Sequence, residues 1–352
     1  MVDMVKLGDI ATYINGYAFK PEDRGKVGVP IIRIQDLTGN SYDLGFYDGE
    51  YPKKIEINNG DVLISWSASL GVYVWNGGKA LLNQHIFKVV FDKVDIDKNY
   101  FVYAVKQKLV EMGMKTHGAT MKHIVKKDFD TTLIPYLSLK EQVEVATKLN
   151  KVSKIIEIRK KELQLLDNLI KARFVEMFGD PIRNTHNRHT TEFSNVVKMQ
   201  RGFDLPVQAR QRYGNIPVYG SNGVLDYHNV AKIQGGGVIT GRSGTIGKVF
   251  YTEGDYWPLN TSLFSVDTHG NNVIYLAYLL QMFDLSRFVE GTGVPTLNRN
   301  MFHDKQIIDV SLYEQEQFAD FVKQVSKSKV AVKKALEETQ LLFDSLMQQY
   351  FG

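Results

Sequence analysis

The stretch SLKEQVEVATKLNKVSKIIEIRKKELQLLDNLIKARFVEMFG, from Ser138 to Gly179, decides how this chain is read, because the chain contains it twice. From Ser311 to Gly352 the residues are SLYEQEQFADFVKQVSKSKVAVKKALEETQLLFDSLMQQYFG, and a constant shift of 173 positions aligns the two copies without a gap. That shift superposes Ser138, Leu139, Glu141 and Gln142 on Ser311, Leu312, Glu314 and Gln315. It also places Val152-Ser153-Lys154 on Val325-Ser326-Lys327, and Phe178-Gly179 on Phe351-Gly352. A match of this length marks an internal duplication, and everything else in the chain has to be read around it.

Each copy has the pattern of one long helix. In the first, apolar residues fall at Leu149, Val152, Ile156, Leu163, Leu166, Ile170 and Met177, a three-four alternation interrupted at Arg159 and Arg173. In the second, the same slots hold Val322, Val325, Lys329, Val332, Leu336, Thr339, Phe343, Leu346 and Tyr350. The lapses are offset, so that Val332 and Leu346 stand where the first copy has its arginines. Two seams, each imperfect alone, suit helices that cover each other. Without an internal proline or glycine, each copy can run for about 37 residues, or roughly 55 Å at 1.5 Å per residue. Gly179, Asp180 and Pro181 then stop the first helix. The plainer alternative is a surface helix of an ordinary globular domain. Two matched helices favour a paired spacer, with Val152, Ile156, Leu163, Leu166, Ile170, Val325, Val332, Leu336, Phe343 and Leu346 as packing or partner-docking residues.

The segments outside the helices repeat as well. Residues 1–137 read as short strands at Pro30–Ile34, Asp61–Ser65, Val72–Trp75 and Ile86–Phe91, with an opening helical turn at Leu7, Ile10 and Ala11 and a helix over Tyr100–Met112. Residues 180–310 follow the same plan in different letters. Arg201-Gly202-Phe203 answers Asn15-Gly16-Tyr17, and VITGRSGTIGKVFY (Val238–Tyr251) answers VLISWSASLGVYVW (Val62–Trp75). Leu259-Asn260-Thr261 answers Leu82-Asn83-Gln84, and a helix over Val273–Met282 answers Tyr100–Gln107. EGTGVPTLNRNMF (Glu290–Phe302) answers HGATMKHIVKKDF (His117–Phe129). The expected architecture is α+β: two pseudo-repeated mixed α/β domains, 1–137 and 180–310, separated by long helices at 138–179 and 311–352 that pair as an antiparallel coiled coil.

Composition bounds the function. The chain has room for more than one core, and its hydrophobic fraction of 43% fits a folded protein. It has no cysteine, which excludes disulfides and thiolate chemistry and suits a reducing compartment. The first residues lack a signal-peptide pattern and no apolar run is long enough to span a bilayer, so a cytoplasmic, membrane-free protein is expected. A net charge of +4 permits a nucleic-acid partner without demanding one.

This ordered set resembles the specificity subunit of type I restriction–modification systems. The marks are the alternation of variable domain and near-identical helix, Leu82-Asn83-Gln84 with Leu259-Asn260-Thr261, Gly118-Ala119-Thr120 and Gly291-Thr292-Gly293 ahead of a polar or basic segment, the Leu-x-Glu-Gln helix starts and the Phe-Gly ends. The resemblance covers essentially the whole chain. It implies two target-recognition domains that each read one half of a bipartite double-stranded DNA site, while the helices fix half-site spacing and dock modification subunits, two of them, together with restriction subunits. It implies a non-catalytic chain without a cofactor of its own, the S-adenosylmethionine, ATP and Mg belonging to partner subunits. Because the two domains differ in sequence, the expected site is asymmetric.

Basic and amide residues on loops are the candidates for DNA contact. In the first domain these are His117, Thr120, Lys122, His123, Lys126 and Lys127, unless they form a solvated basic face. The matching segment offers Thr292, Thr296, Asn298, Arg299 and Asn300. Arg242 and Lys248, in the glycine-rich Gly235–Lys248 segment, would approach a phosphodiester, the alternative being a plain hairpin turn. That segment is no phosphate loop, since Val249 follows Gly247-Lys248 where Ser or Thr is needed. Asn83, Gln84, His85, Asn260, Thr261 and Ser262 are more often turn-stabilising than base-reading. Arg201, Arg210, Arg212 and Tyr213, or Tyr17, Phe19 and Lys20, are either groove-lining residues or ordinary loop side chains. No histidine spacing suggests a metal site, and no methyltransferase, nuclease or Gly-x-Ser-x-Gly motif is present. The expected function is sequence-specific DNA recognition for a type I complex. The competing readings are a scaffold whose loops bind protein or glycan, and a self-contained enzyme.

Overall fold

The computed structural model describes residues 3–115, 124–211, 213–290 and 295–352. The chain forms two compact units, one made of Met1–Ile158 with Ala335–Gly352 and the other of Arg159–Lys334. The duplicated stretches are helices Leu139–Phe178 and Leu312–Phe351, of 40 residues each. Each unit therefore takes one mixed α/β segment and a portion of each long helix.

The start of each long helix explains the repeated Ser-Leu-x-Glu-Gln. Ser138 and Glu141 form a capping box, with the Ser138 N–H donating to the Glu141 carboxylate at 3.0 Å and the hydroxyl accepting from the Glu141 N–H at 3.4 Å. Ser311 and Glu314 repeat the side-chain half of it. The Ser138 hydroxyl, donating to the Glu141 carboxylate at 2.6 Å, and then the Ser138 N–H hold that carboxyl below its ordinary range, and Arg188 does the same to Glu314, helped by Ser311. The glutamine has a different task. Gln142 is fully buried, its amide donates to the Leu137 carbonyl at 2.8 Å, and its oxygen accepts from the Asp97 N–H at 2.8 Å. Asp97 in turn caps the preceding helix, Lys98–Lys115, through the Tyr100 N–H. Gln315 reproduces the arrangement with Val310, Asn271 and the N–H of Asn272, the residue that caps Val273–Phe283. One buried amide in each unit thus ties the long helix to the start of its neighbour.

In the first unit, strands Thr12–Asn15, Ile86–Val90, Val62–Ser65 and Gly71–Val74 form an antiparallel sheet in that order. A second sheet runs Gly45–Tyr47, Val29–Ile32, Ala80–Leu82, Glu56–Ile57, with the central pair parallel. The second unit repeats the first sheet as Lys198–Arg201, Ser262–Asp267, Gly237–Gly241, Val249–Thr252. It repeats the other sheet as Gly223–His228, Ile216–Gly220, Trp257–Pro258, again with a parallel pair. The duplicated glycines have a steric reason: a Cβ on Gly16 would lie 2.0 Å from the Asn83 carbonyl oxygen, and one on Gly202 would lie 2.3 Å from that of Leu259. Most expected strands and helices shift by a residue at one end or both, and two differ by more. The first expected strand ends at Ile32, because the Arg33 N–H and guanidinium both bind Asp36 and turn the chain into Ile34–Leu37. The expected helix at Tyr100–Met112 is longer, Lys98–Lys115.

The cores are continuous with the helices. In the second unit Ile170, Phe174, Phe178, Phe318, Val322 and Val325 share one cluster with Phe193, Tyr275, Phe283 and Phe302, and Leu166 packs against it. In the first, Leu149, Ile156, Phe343, Met347 and Phe351 join Tyr100, Phe101 and Phe129, with Val152, Leu336 and Leu346 alongside. The pairing is antiparallel. Within the second unit Phe174 meets Phe318 at 5.5 Å, Arg173 lies over Phe321 at 5.7 Å, and Asp167 pairs with Lys329. Leu163 and Val332 are half-buried, as are Arg159, Arg173, Lys329 and Thr339, where the apolar pattern lapses. Long stems lie along the seam while polar ends reach outward.

Candidate nucleic-acid interface

In the second unit, segments far apart in sequence meet at an open cleft of about 620 Å³. It is lined by Arg201 from the strand end, Arg242 from the hairpin, and Thr296, Asn298, Arg299 and Asn300 from the loop that follows. The frame is backbone hydrogen bonding. The Arg242 N–H donates to the Thr261 carbonyl at 2.9 Å, and the Arg242 carbonyl accepts from the Leu297 N–H at 2.8 Å. Ser243 bridges to Thr296, and the Asn298 side chain accepts from the Asn300 N–H at 3.1 Å, shaping the turn that carries Arg299.

The cleft carries more positive than negative side chains. Among the described residues, no carboxylate lies within ion-pairing distance of Arg201, Arg242 or Arg299. The acid that lines it, Asp204, accepts from the Asn260 amide. Behind the cleft, burial lowers the His303 pKa, and Arg299 and Lys198 lower it further. His303 Nε2 accepts from the Met199 N–H at 3.1 Å, which suits a neutral ring. An open concavity with three guanidinium groups outside any ion pair, and several amides, has the chemistry to hold an anion.

The first unit has the same frame with other side chains. The Ile124 N–H donates to the Trp66 carbonyl at 2.9 Å, as Leu297 does to Arg242, and the Trp66 N–H donates to His85 at 3.2 Å. Phe129, the counterpart of Phe302, is buried in the same way. Trp66, at the position of Arg242, stacks on Phe87 at 5.6 Å and donates its indole N–H to Asn15, which sits at the position of Arg201. Lys126 and Lys127 are exposed on the helical turn Lys126–Asp130, where Lys126 pairs with Asp130 at 2.6 Å. His117, Thr120, Lys122, His123, Arg212 and Thr292 lie outside the described residues.

Other candidates fall elsewhere. Lys248 does not line the cleft and instead donates to the Asn222 side chain at 2.7 Å. Arg210 is committed to structure, donating to the Leu205 carbonyl at 3.2 Å with a largely buried Asp226 at 3.6 Å. Ser262 is buried against the Leu259 carbonyl, whereas Thr261 is exposed. Tyr213, Tyr17 and Lys20 are exposed, and Phe19 is buried. Arg201, one of several loop arginines in the sequence reading, gains its place from the cleft. Its signal was its position beside the duplicated glycine. Among the described residues no cluster of His, Cys, Asp and Glu could hold a metal ion, and no helix is long and apolar enough to cross a membrane.

Two pseudo-equivalent loop-bearing α/β units, each with portions of a duplicated pair of long helices, define a class of internally duplicated proteins. The family model for the type I restriction modification DNA specificity domain matches residues 1–168 and 189–340, and the chain belongs to that family. It is 28% identical over 170 residues to the type I restriction enzyme EcoBI specificity subunit of Escherichia coli, covering 47% of this chain and 35% of that one. It is 27% identical over 126 residues to the MjaVIII specificity subunit of Methanocaldococcus jannaschii, covering 36% and 30%. These matches span about a third of each relative's length. Among solved structures, the type I restriction–modification S subunit from M. genitalium aligns with a TM-score of 0.60 at 15% identity, over 100% of this chain and 96% of that one. A chain from a type I system, described for its complex assembly and conformational transition, aligns with a TM-score of 0.60 at 14% identity, over 99% and 97%. Identities this low speak for the fold.

Proposed function

We propose that this chain is the non-catalytic DNA-reading subunit of a type I restriction–modification complex, recognising a bipartite, asymmetric double-stranded site and positioning methyltransferase and restriction subunits on it. The observation that carries the proposal is the cleft of Arg201, Arg242 and Arg299, with the same backbone frame repeated in the other unit. Unpaired cations in a concave site suit a phosphate backbone, and the amides beside them suit base edges. In this reading residues 1–137 and 180–310 are the readers, and 138–179 and 311–352 are the spacer. Thr120, Lys122, His123, Lys126 and Lys127 serve the first half-site, and Arg242, Thr296, Asn298 and Arg299 the second, while Lys248, bonded to Asn222, stands outside this cleft.

The spacer role draws on helix length. Forty residues at about 1.5 Å each reach roughly 60 Å, enough for half-sites about one helical turn, roughly 34 Å, apart. Ile155, Ile158, Leu165 and Leu169 are exposed on the first long helix despite being apolar, which suits docking of partner subunits. The test is DNA binding by the chain with its methyltransferase subunits at a series of salt concentrations. Affinity that falls steeply with salt is expected. Binding with no salt dependence, or none at all, would favour the scaffold reading, and methylation or cleavage by the purified chain alone would overturn the non-catalytic one.

A further inference from the structure

We propose that Arg242 reads a base, and that the half-site taken by the second unit carries a guanine where this side chain reaches the groove. The inference rests on the cleft being a DNA interface and goes beyond it by dividing the labour among its arginines. Arg201 and Arg299 are exposed, whereas Arg242 is half-buried. Its backbone is fixed on both sides, by Thr261 at 2.9 Å and Leu297 at 2.8 Å, and the Ser243 N–H also donates to Thr261, at 3.2 Å. Just before it, a Cβ on Gly241 would lie 1.8 Å from the Thr245 carbonyl oxygen, so the hairpin is closed too tightly to shift.

Base readout requires a side chain launched from a fixed position, to within about 0.5 Å. A phosphate contact tolerates a flexible one. The planar guanidinium fork matches the O6 and N7 acceptors of guanine, and no carboxylate among the described residues occupies the Arg242 donors. The equivalent station in the first unit holds Trp66, whose N–H is committed to Asn15 and whose ring lies on Phe87. Guanine reading from this station is therefore confined to one unit, and Arg201 and Arg299 at the rim neutralise phosphates.

The experiment uses the chain with its methyltransferase subunits and a duplex carrying the site mapped from genomic methylation. Each guanine of the second half-site is replaced in turn by 7-deazaguanine, which lacks the N7 acceptor. One replacement should weaken wild-type binding by about tenfold or more and weaken Arg242→Ala no further, with the salt slope of Arg242→Ala unchanged. Arg242→Lys, which keeps charge but not the fork, should show the same loss at that guanine, and serves if the alanine variant folds poorly. Arg201→Ala and Arg299→Ala should weaken every duplex alike and each reduce the salt slope by about 1. If Arg242→Ala instead weakens all duplexes equally with a reduced slope, the base-reading role is overturned while the interface stands. If none of the three substitutions changes DNA binding, the cleft is not the interface and the broader reading falls with it.

Discussion

Replacing Gln142 by methionine keeps the length of the side chain and removes its amide, leaving the Asp97 N–H and the Leu137 carbonyl without their partner. A buried backbone group that loses its partner costs about 1–3 kcal/mol. Asp97 and Leu137 are half-buried, which places each at the low end. Burying the thioether in place of the amide returns about 1 kcal/mol. The net loss expected in the first unit is about 1 kcal/mol. Gln315→Met strands three groups, at about 1 kcal/mol each on the half-buried Asn271 and Asn272 and about 2 on the buried Val310, and after the same return should cost the second unit about 3 kcal/mol. Urea unfolding resolved by hydrogen exchange in each unit measures both. With a slope of about 2 kcal/mol per molar, the midpoints should fall by roughly 0.5 M and 1.5 M. The Asp97 amide should lose protection in the first variant only. Midpoints within about 0.3 M of wild type, with the Asp97 amide still protected, would show that the glutamines do not tie the helices to their neighbours.

Three further outcomes follow from the structure. Gly202→Ala should cost the second unit more than about 2 kcal/mol, because its Cβ would strike a carbonyl oxygen that cannot move; Gly254→Ala, with open space around it, is the control, and equal melting temperatures for both would refute the steric argument. Removing one heptad from both long helices shortens each by about 10 Å and should bring the half-sites closer by roughly three base pairs; methylome sequencing that shows unchanged spacing refutes the spacer role. His303 has a folded pKa below its unfolded value near 6.5, so the unfolded chain takes up a proton first as pH falls. The second unit should therefore lose stability below about pH 6.5, and His303→Gln should flatten that part of the profile; an unchanged profile would show that His303 does not carry it.

The seam on the long helices was legible because its information is local. Leu149, Ile156, Ile170, Val322 and Phe343 recur at the spacing of one helix face, and that face is buried whatever covers it. Short strands such as Val62–Ser65 were legible for a similar reason, since turn residues bound them. The strand at Val29–Ile32 ended early because Asp36 captured the Arg33 N–H, a side-chain bond that propensity does not register.

By itself, then, the sequence determined the duplicated order of the elements, the length of the long helices and the slots that face inward, all consequences of periodicity between near neighbours. Which loop residues would share a cleft was decided only by the tertiary structure. Arg242 and Leu297 are brought together by strand order, and so are Arg201 and Arg242, while Lys248, six residues from Arg242, turns away to Asn222. Such contacts depend on which strand lies beside which, and no local pattern carries that information. The same holds for Gln142 and Gln315: the repeat marked them as a pair, but only packing against Asp97 and Asn272 showed what each of them holds.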